Sequence, residues 1–511
     1  MSERSRFDPD GPLFAPDFLL DEESDVSVLI DPGRVRWIGT NRLGARLLER
    51  VRATPGVSLE AVVGRLAAPG SGNFPKEAHR RGFLSNEPFP VVTRRNRREM
   101  LEPDRLHEFW VVTNDDCNLR CRHCYTIEQV KQGRVGLGAA VLKGIIADAH
   151  ALGAEIFYFT GGEPTIRPDF LDLARFVLER AKLIVFTNGT VLTEDLVQAL
   201  SAWRERLIFQ VSLEGPNEEV SRPVRGKDSL SRALAGIRLL LRHKIRVGVS
   251  TTPTGVSHKS VPELTSLLAG LDENGQRPEY HHLIMLLDRG GARDHQETFA
   301  LSSEQFSQVL ANSARALSLA RQRDRRVRLK LTNEKIMQAL ASNGPAKDFC
   351  GAGYTILGVS SDGKLLPCAA CMDDHRYFLG DLVDSRGEYL EGSLERLWRG
   401  SEQVEAVRRF SLAVAEGQPV RDLRYFHGGG CWKNMDDPSR DFAEGHPFAE
   451  YYERAILAAI REEASKGVEV AEDVPRLYTF MHRARIACAG GRKTVAKGDG
   501  DLDQGHCICF A

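Results

Sequence analysis

The sequence predicts an α/β protein: a partial barrel of six strand–helix units, with a small winged-helix-like module before it and a cysteine-rich domain after it. Three observations carry this. Apolar runs of strand length alternate with amphipathic stretches of helical length from about 107 to 320, the pattern of a parallel sheet with crossover helices. A hairpin pattern followed by two helical stripes occupies the first 70 residues. The ten cysteines are grouped, and the first 100 residues contain none.

In the N-terminal part, residues 1 to about 17 are polar with Pro and Gly, and are expected to be disordered. Val26, Val28 and Ile30 alternate, Asp31-Pro32-Gly33 turns the chain, and Val35 and Trp37 resume, which predicts a β-hairpin. Leu43, Leu47, Leu48 and Val51, then Leu59, Val62, Val63 and Leu66, fall at helical spacing. This sets a module at 17–70, and the Pro-, Gly- and Arg-bearing stretch 71–104 reads as a linker. In the barrel segment, 105–325, strands are expected at Phe109–Val112, Ile156–Phe159, Leu183–Phe186, Leu207–Val211, Val247–Val249 and Leu283–Leu287. Helices are expected at 137–152, 168–180, 227–242 and 302–321. Six units are too few to close an eight-stranded barrel. A turn-rich, cysteine-bearing domain follows at 345–450, then a C-terminal helix and a cysteine-containing tail at 451–511.

Composition narrows the class. The chain has 511 residues, 42% hydrophobic and 27% charged, ordinary for a soluble globular protein. A formal net charge of −1 supplies no global attraction to nucleic acid or to an anionic membrane, so neither is expected as a partner. No apolar run reaches membrane-spanning length, and the polar Met1–Asp10 segment is not a secretory signal. The expected location is cytoplasmic, where grouped thiols read as metal ligands or redox centres.

Cys117, Cys121 and Cys124 stand in a C-x3-C-x2-C loop directly after the first barrel strand. Three thiolates on a four-iron cluster leave one iron open to chelate a ligand and pass it an electron. His123 lies inside the loop, so a zinc site is the alternative on ligand type, although the usual paired zinc spacing is missing. The second strand runs into Thr160-Gly161-Gly162-Glu163-Pro164, where two glycines allow close backbone approach to a ligand. Thr187-Asn188-Gly189 ends the third strand and Ser212-Leu213-Glu214-Gly215 the fourth.

The cysteine spacing, with Tyr125 directly after it and Gly161-Gly162-Glu163 one unit later, resembles the signature of the radical S-adenosylmethionine (SAM) superfamily over about residues 105–320. The resemblance implies a [4Fe–4S] cluster on Cys117, Cys121 and Cys124, with SAM on its open iron. It further implies SAM contacts from Gly161, Gly162, Glu163, Tyr125, Asn188 and Ser212. Ser212 also reads as a strand-end turn serine, and Arg225, which matches the superfamily's Arg-Gly, as a solvated arginine.

Cys350, the Gly363-to-Cys368 spacing, Cys371 and Cys431 are similar to the SPASM extension of such enzymes. They imply one auxiliary iron–sulfur cluster, with Cys371 added on the C-x2-C spacing and a structural zinc on the same thiolates as the alternative. The extension's second cluster is not expected, because Gln418, Arg421 and His427 stand where it has cysteines. Cys488, Cys507 and Cys509 match nothing in the superfamily. They are left between a rebuilt second cluster, a thiol hydrogen donor and a tail of oxidisable thiols.

Residues 17–70 resemble the PqqD-like element that binds a precursor's leader peptide as an added strand. A winged helix used for DNA or as packing is the alternative; Arg34, Arg36, Arg42, Arg46, Arg50 and Arg52 keep the DNA option open, and Asp21, Glu22, Glu23, Asp25 and Asp31 weaken it. Together these imply a peptide-modifying enzyme with a leader-bearing precursor peptide and a reductant such as flavodoxin or ferredoxin as partners. It would form thioether or C–C cross-links, or epimerise. A side-chain-oxidising maturase of the sulfatase-maturase type and a non-catalytic iron–sulfur sensor are the rivals.

Overall fold

A computed structural model of the chain describes residues 7–63 apart from 9, 23–25, 33 and 35, then 74–90, 105–333, 351–408 and 423, with isolated helical positions between 453 and 464. Cys350, Cys431, Cys488, Cys507 and Cys509 lie outside the described residues, as do Gln418, Arg421 and His427.

The N-terminal module is a three-stranded antiparallel sheet, β1 (Leu19–Asp21), β2 (Ser27–Asp31) and β3 (Arg36–Thr40), with the hairpin pairing Asp31 to Arg36. The helix Arg42–Ala53 follows, its N-terminus capped by the Asn41 side chain accepting from Gly44 N. Period-2 alternation sends strand residues to two different cores. Leu29 and Ile38 pack with Leu47, Leu48 and Val51, whereas Val28, Ile30 and Trp37 join the main core of the protein.

Two expectations change here. Leu13 is fully buried and Phe14 bridges Ser85, so residues 10–22 are part of the fold: a few apolar side chains in a polar stretch suffice to anchor it. The expected linker contributes the helix Phe74–Arg80, and Phe83 and Leu84 fill the module's core.

The main sheet opens with β4 (Glu108–Val112), β5 (Ile156–Thr160), β6 (Lys182–Thr187), β7 (Leu207–Ser212), β8 (Arg246–Thr251) and β9 (Tyr280–Leu283), all parallel and in sequential order. β4 and β5 are buried at every position, as strands covered by helices on one face and by barrel interior on the other must be. Among the described strands the sheet is open, and longer than six strands. β10 (Lys330–Thr332) pairs parallel to β9 at one end. At the other, β11 (Ile356–Val359) runs parallel to β4, and β12 (Lys364–Leu366) and β13 (Gly380–Asp381) add antiparallel. The cysteine-bearing region therefore continues the barrel's own sheet.

The sixth strand is Tyr280–Leu283 rather than Leu283–Leu287. Its two histidines disguised it: His281, fully buried, is bonded to Thr251 at 2.8 Å and Thr265 at 3.0 Å, and burial pushes its pKa down to about 3, so the ring is neutral.

Candidate functional site

The strands β4 to β9 end at one rim, the edge where parallel sheets bind ligands. One cavity there is lined by Cys117, Cys121 and Cys124, by Tyr125, Gly161, Gly162, Glu163 and Asn188, and by Ser212. The structure thus gathers every barrel residue singled out from the sequence.

The cysteine loop is held by backbone geometry. Asp115 N and Asp116 N donate to Arg134 O, Cys117 N to Asp116 Oδ1 at 2.8 Å, and Leu119 N to Cys117 Sγ at 3.4 Å. Arg167, a residue sequence reasoning missed, is a buried clamp whose guanidinium donates to the carbonyls of Thr113, Val135 and Leu137 while pairing with Asp169 at 2.7 Å. Arg134 ties the loop to the β11–β12 turn through Asp362 at 3.2 Å, and Ser361 donates to Asp115 at 2.8 Å.

The Gly-Gly pair has a packing reason besides the one expected, and both glycines line the cavity. A Cβ on Gly162 would strike the carbonyl oxygens of Asp115 and Asp116, and one on Gly161, at φ 139°, the carbonyl of Asn114. The glycines let β5's end lie against the cysteine loop, where Gly162 N donates to Asn114 O and Glu163 N to Asp116 O, both at 2.8 Å. Glu163 then ties this corner to the next strand. Its carboxylate accepts from Thr165 N at 3.1 Å, Thr165 Oγ1 at 2.6 Å, Thr187 Oγ1 at 2.7 Å and Asn188 N at 2.7 Å. Burial pushes the Glu163 carboxyl up, and these four donors oppose it. Asn188 Nδ2 in turn donates to Asn118 at 2.8 Å and lies 3.9 Å from Cys117 Sγ.

On the far side, Arg225 is half-buried in an ion pair rather than solvated. It donates to Glu214 Oε1 at 2.7 Å, and its other terminal nitrogen lies 3.9 Å from Cys121 Sγ. His123 Nε2 is 3.3 Å from the same Glu214 oxygen. Burial opposes ionisation of Glu214, but Arg225 and His123 hold its carboxyl below the usual range. Arg225→Ala leaves this carboxylate, 1% exposed, without its main counter-charge. The expected cost is about 3 kcal/mol, read as a lower urea midpoint. The depressed carboxyl means the pair contributes fully above the usual carboxylate pKa and fades as pH falls through its lower folded value, so the deficit shrinks in acid.

Ser212 Oγ sits 3.4 Å from Ser250 Oγ across β7 and β8. Tyr125 lines the cavity and its hydroxyl lies 3.8 Å from Met372 Sδ. Cys371 is therefore one residue from a side chain touching the loop. Cys368 and Cys371 are buried, with sulfurs 3.9 Å apart.

The donor set fits an anionic sulfur cluster. Burial pushes the Cys117 thiol up to about 11 and that of Cys121 up to about 12, so metal binding must displace their protons. The nearby Asn188 amide and Arg225 guanidinium favour the thiolate forms. Among the described residues no three Cys, His, Asp or Glu side chains converge on one metal-ion position. One thiolate per iron needs no such convergence, whereas a zinc ion would. Gln210, also on the cavity, was missed by sequence reasoning, which marked Thr187 only as a strand end and read the apolar wall Ile284–Leu287 as strand.

Residues 111–268 match the radical SAM superfamily. The chain is 28% identical over 353 residues to an AdoMet-dependent heme synthase of Methanosarcina barkeri, covering 66% of this chain and 93% of that protein. It is 24% identical over 337 residues to the antilisterial bacteriocin subtilosin biosynthesis protein AlbA of Bacillus subtilis, 65% of this chain and 68% of that one. Its fold is similar to that of anSMEcpe with bound AdoMet (TM-score 0.56, 16% identity, 72% of this chain and 100% of that chain). It is also similar to Streptococcus suis SuiB bound to the precursor peptide SuiA (TM-score 0.51, 15% identity, 83% and 96%). The cavity thus lies within the segment 111–268 and the loop that follows β9, and the chain carries a radical SAM domain.

Proposed function

We propose that this protein reductively cleaves SAM at the cavity and modifies a ribosomally made peptide. The observation that carries the reading is the convergence of three loop thiols with Gly161, Gly162, Glu163, Asn188 and Ser212 on one cavity of a radical SAM domain. A [4Fe–4S] cluster on Cys117, Cys121 and Cys124 would supply one electron to SAM, which would supply a hydrogen-abstracting 5′-deoxyadenosyl radical. The chain's own part is placement. Glu163 fixes the rim, Asn188 and Arg225 offer N–H groups to thiolate sulfur, and Leu119, Phe186 and Ile284–Leu287 keep water out.

The peptide half rests on the likeness to a bacteriocin biosynthesis protein and on the N-terminal sheet. Among the described strands β3 pairs on one side only, and a leader strand fits the other edge. The reductant would be a flavodoxin or ferredoxin, in a cytoplasmic setting. An auxiliary iron–sulfur cluster on Cys350, Cys368, Cys371 and Cys431 completes the proposal. Metal analysis after alanine replacement of Cys368 and Cys371 should show loss of iron, and loss of zinc would identify the structural alternative.

The heme-synthase likeness over 66% of the chain favours a second reading, action on a tetrapyrrole. Anaerobic co-expression with any short peptide found encoded beside the gene separates the two. A cross-linked or epimerised peptide by mass spectrometry and chiral analysis is expected. An untouched peptide, with an iron porphyrin precursor consumed instead, would establish the second reading.

A further inference from the structure

Below the rim, one row of the sheet is built around a single amide. Gln210 on β7 pairs in register with Gly248 on β8, and Gly248 with Tyr280 on β9. A Cβ at Gly248 would run into the Tyr280 ring, so the missing side chain on β8 lets the tyrosine lie across it. Tyr280 thereby reaches two strands over and donates its hydroxyl to Gln210 Oε1 at 3.0 Å. That bond orients the amide, with Oε1 to the tyrosine and Nε2 away from it. Gln210 is fully buried, lines the cavity, and its Nε2 has no hydrogen-bond partner. A buried amide donor left unpaired is destabilising, and an apolar residue here would avoid that. The position is therefore explained by something that enters the cavity and accepts from it.

Depth says which reactant. Ser212 and Gln210 share a face of β7, with Gln210 one strand repeat, roughly 6–7 Å, further from the rim. The cysteine loop is met at the rim level, where Asn188 lies 3.9 Å from Cys117 Sγ. A group bound through the loop is thus held above Gln210, and the molecule beneath it is the one to be modified. We propose that Gln210 is a substrate-binding residue whose Nε2 donates to a carbonyl oxygen of the substrate, with Tyr280 as its positioning residue and Gly248 as the space that permits the contact. The inference rests on the cavity being the reaction site. It deepens that reading by giving the substrate a carbonyl acceptor, as every peptide group has.

The test uses the full reconstituted protein, with N-methylacetamide as the smallest peptide-group probe, in crystals with and without SAM and alongside SAM affinity in solution. In wild type the probe oxygen should lie within hydrogen-bond distance of Gln210 Nε2. Q210M should lose the probe and keep SAM affinity within about twofold, the scatter of a site not in contact. Tyr280→Phe, which removes only a hydroxyl, should lower probe occupancy roughly fivefold, the worth of one ordinary hydrogen bond. It keeps the test valid if Q210M does not fold. A SAM oxygen on Nε2, or SAM affinity reduced tenfold in Q210M, would overturn the proposal by assigning the residue to the cofactor. Ordered water alone on Nε2 in the probe-soaked wild type would overturn it too. Failure of wild type to bind SAM would count against the proposed function and leave the probe result standing by itself.

Discussion

Cys124→Ala is expected to strip the loop site of its cluster: reconstituted protein should hold about four fewer iron atoms per chain than wild type, with any iron on the second cysteine group retained. The expectation follows from placement. Cys124 N donates to Cys121 O at 3.2 Å and Cys124 O accepts from Gly291 N at 3.0 Å, so the backbone around the position stays fixed when the thiol is removed. Two thiols then remain, Cys117 and Cys121, whose ionisation desolvation opposes, and two ligands are too few to hold the cluster. Tyr125 follows Cys124 directly and reaches Met372, so its packing reports whether the loop keeps its shape. Unchanged iron content in a folded variant would remove Cys124 from the ligand set.

Gly162→Ala should be nearly as damaging, although it removes no donor. The new methyl would meet the Asp115 and Asp116 carbonyls, which are backbone and have no rotamer to move into. Relief requires the loop to part from β5, breaking Gly162 N–Asn114 O and Glu163 N–Asp116 O, each 2.8 Å. Overpacking plus two lost buried bonds amounts to about 3 kcal/mol. The loop that carries the cysteines moves with it, so cluster content should fall together with the urea midpoint. Asn188→Ala makes a contrast, since it removes an amide beside Cys117 Sγ without forcing backbone apart. A Gly162→Ala protein with full iron and an unchanged midpoint would contradict the packing account.

Much of the barrel was legible because buried parallel strands write themselves as apolar runs, as in Ile156–Thr160 and Leu207–Ser212. The last strand was not, because burial there is secured by side-chain hydrogen bonds: His281 to two threonines and His282 to Thr332 at 2.9 Å. The apolar run after it, Ile284–Leu287, is apolar because it walls the cavity, and hydrophobicity alone does not separate a wall from a strand. The site residues that lie in the motifs were visible as motifs. Their supports were not: Arg167 reads as one more arginine until its guanidinium is seen among three carbonyls, and Thr187 until its hydroxyl is seen on Glu163. Arg225 read equally as solvated, because a buried ion pair leaves no trace in local composition. The extension of the sheet begins with β11 pairing β4 across more than 240 residues, which no window of sequence reports.

On the proposed reading, the three-thiol cavity cleaves SAM. The most direct measurement is 5′-deoxyadenosine release from SAM by anaerobically reconstituted wild-type protein under a strong reductant, with Cys124→Ala alongside. Release by wild type, reduced to background in the variant, is the predicted result. A wild-type protein with its full iron complement that binds no SAM and releases no 5′-deoxyadenosine would contradict the claim and favour a non-catalytic iron–sulfur sensor.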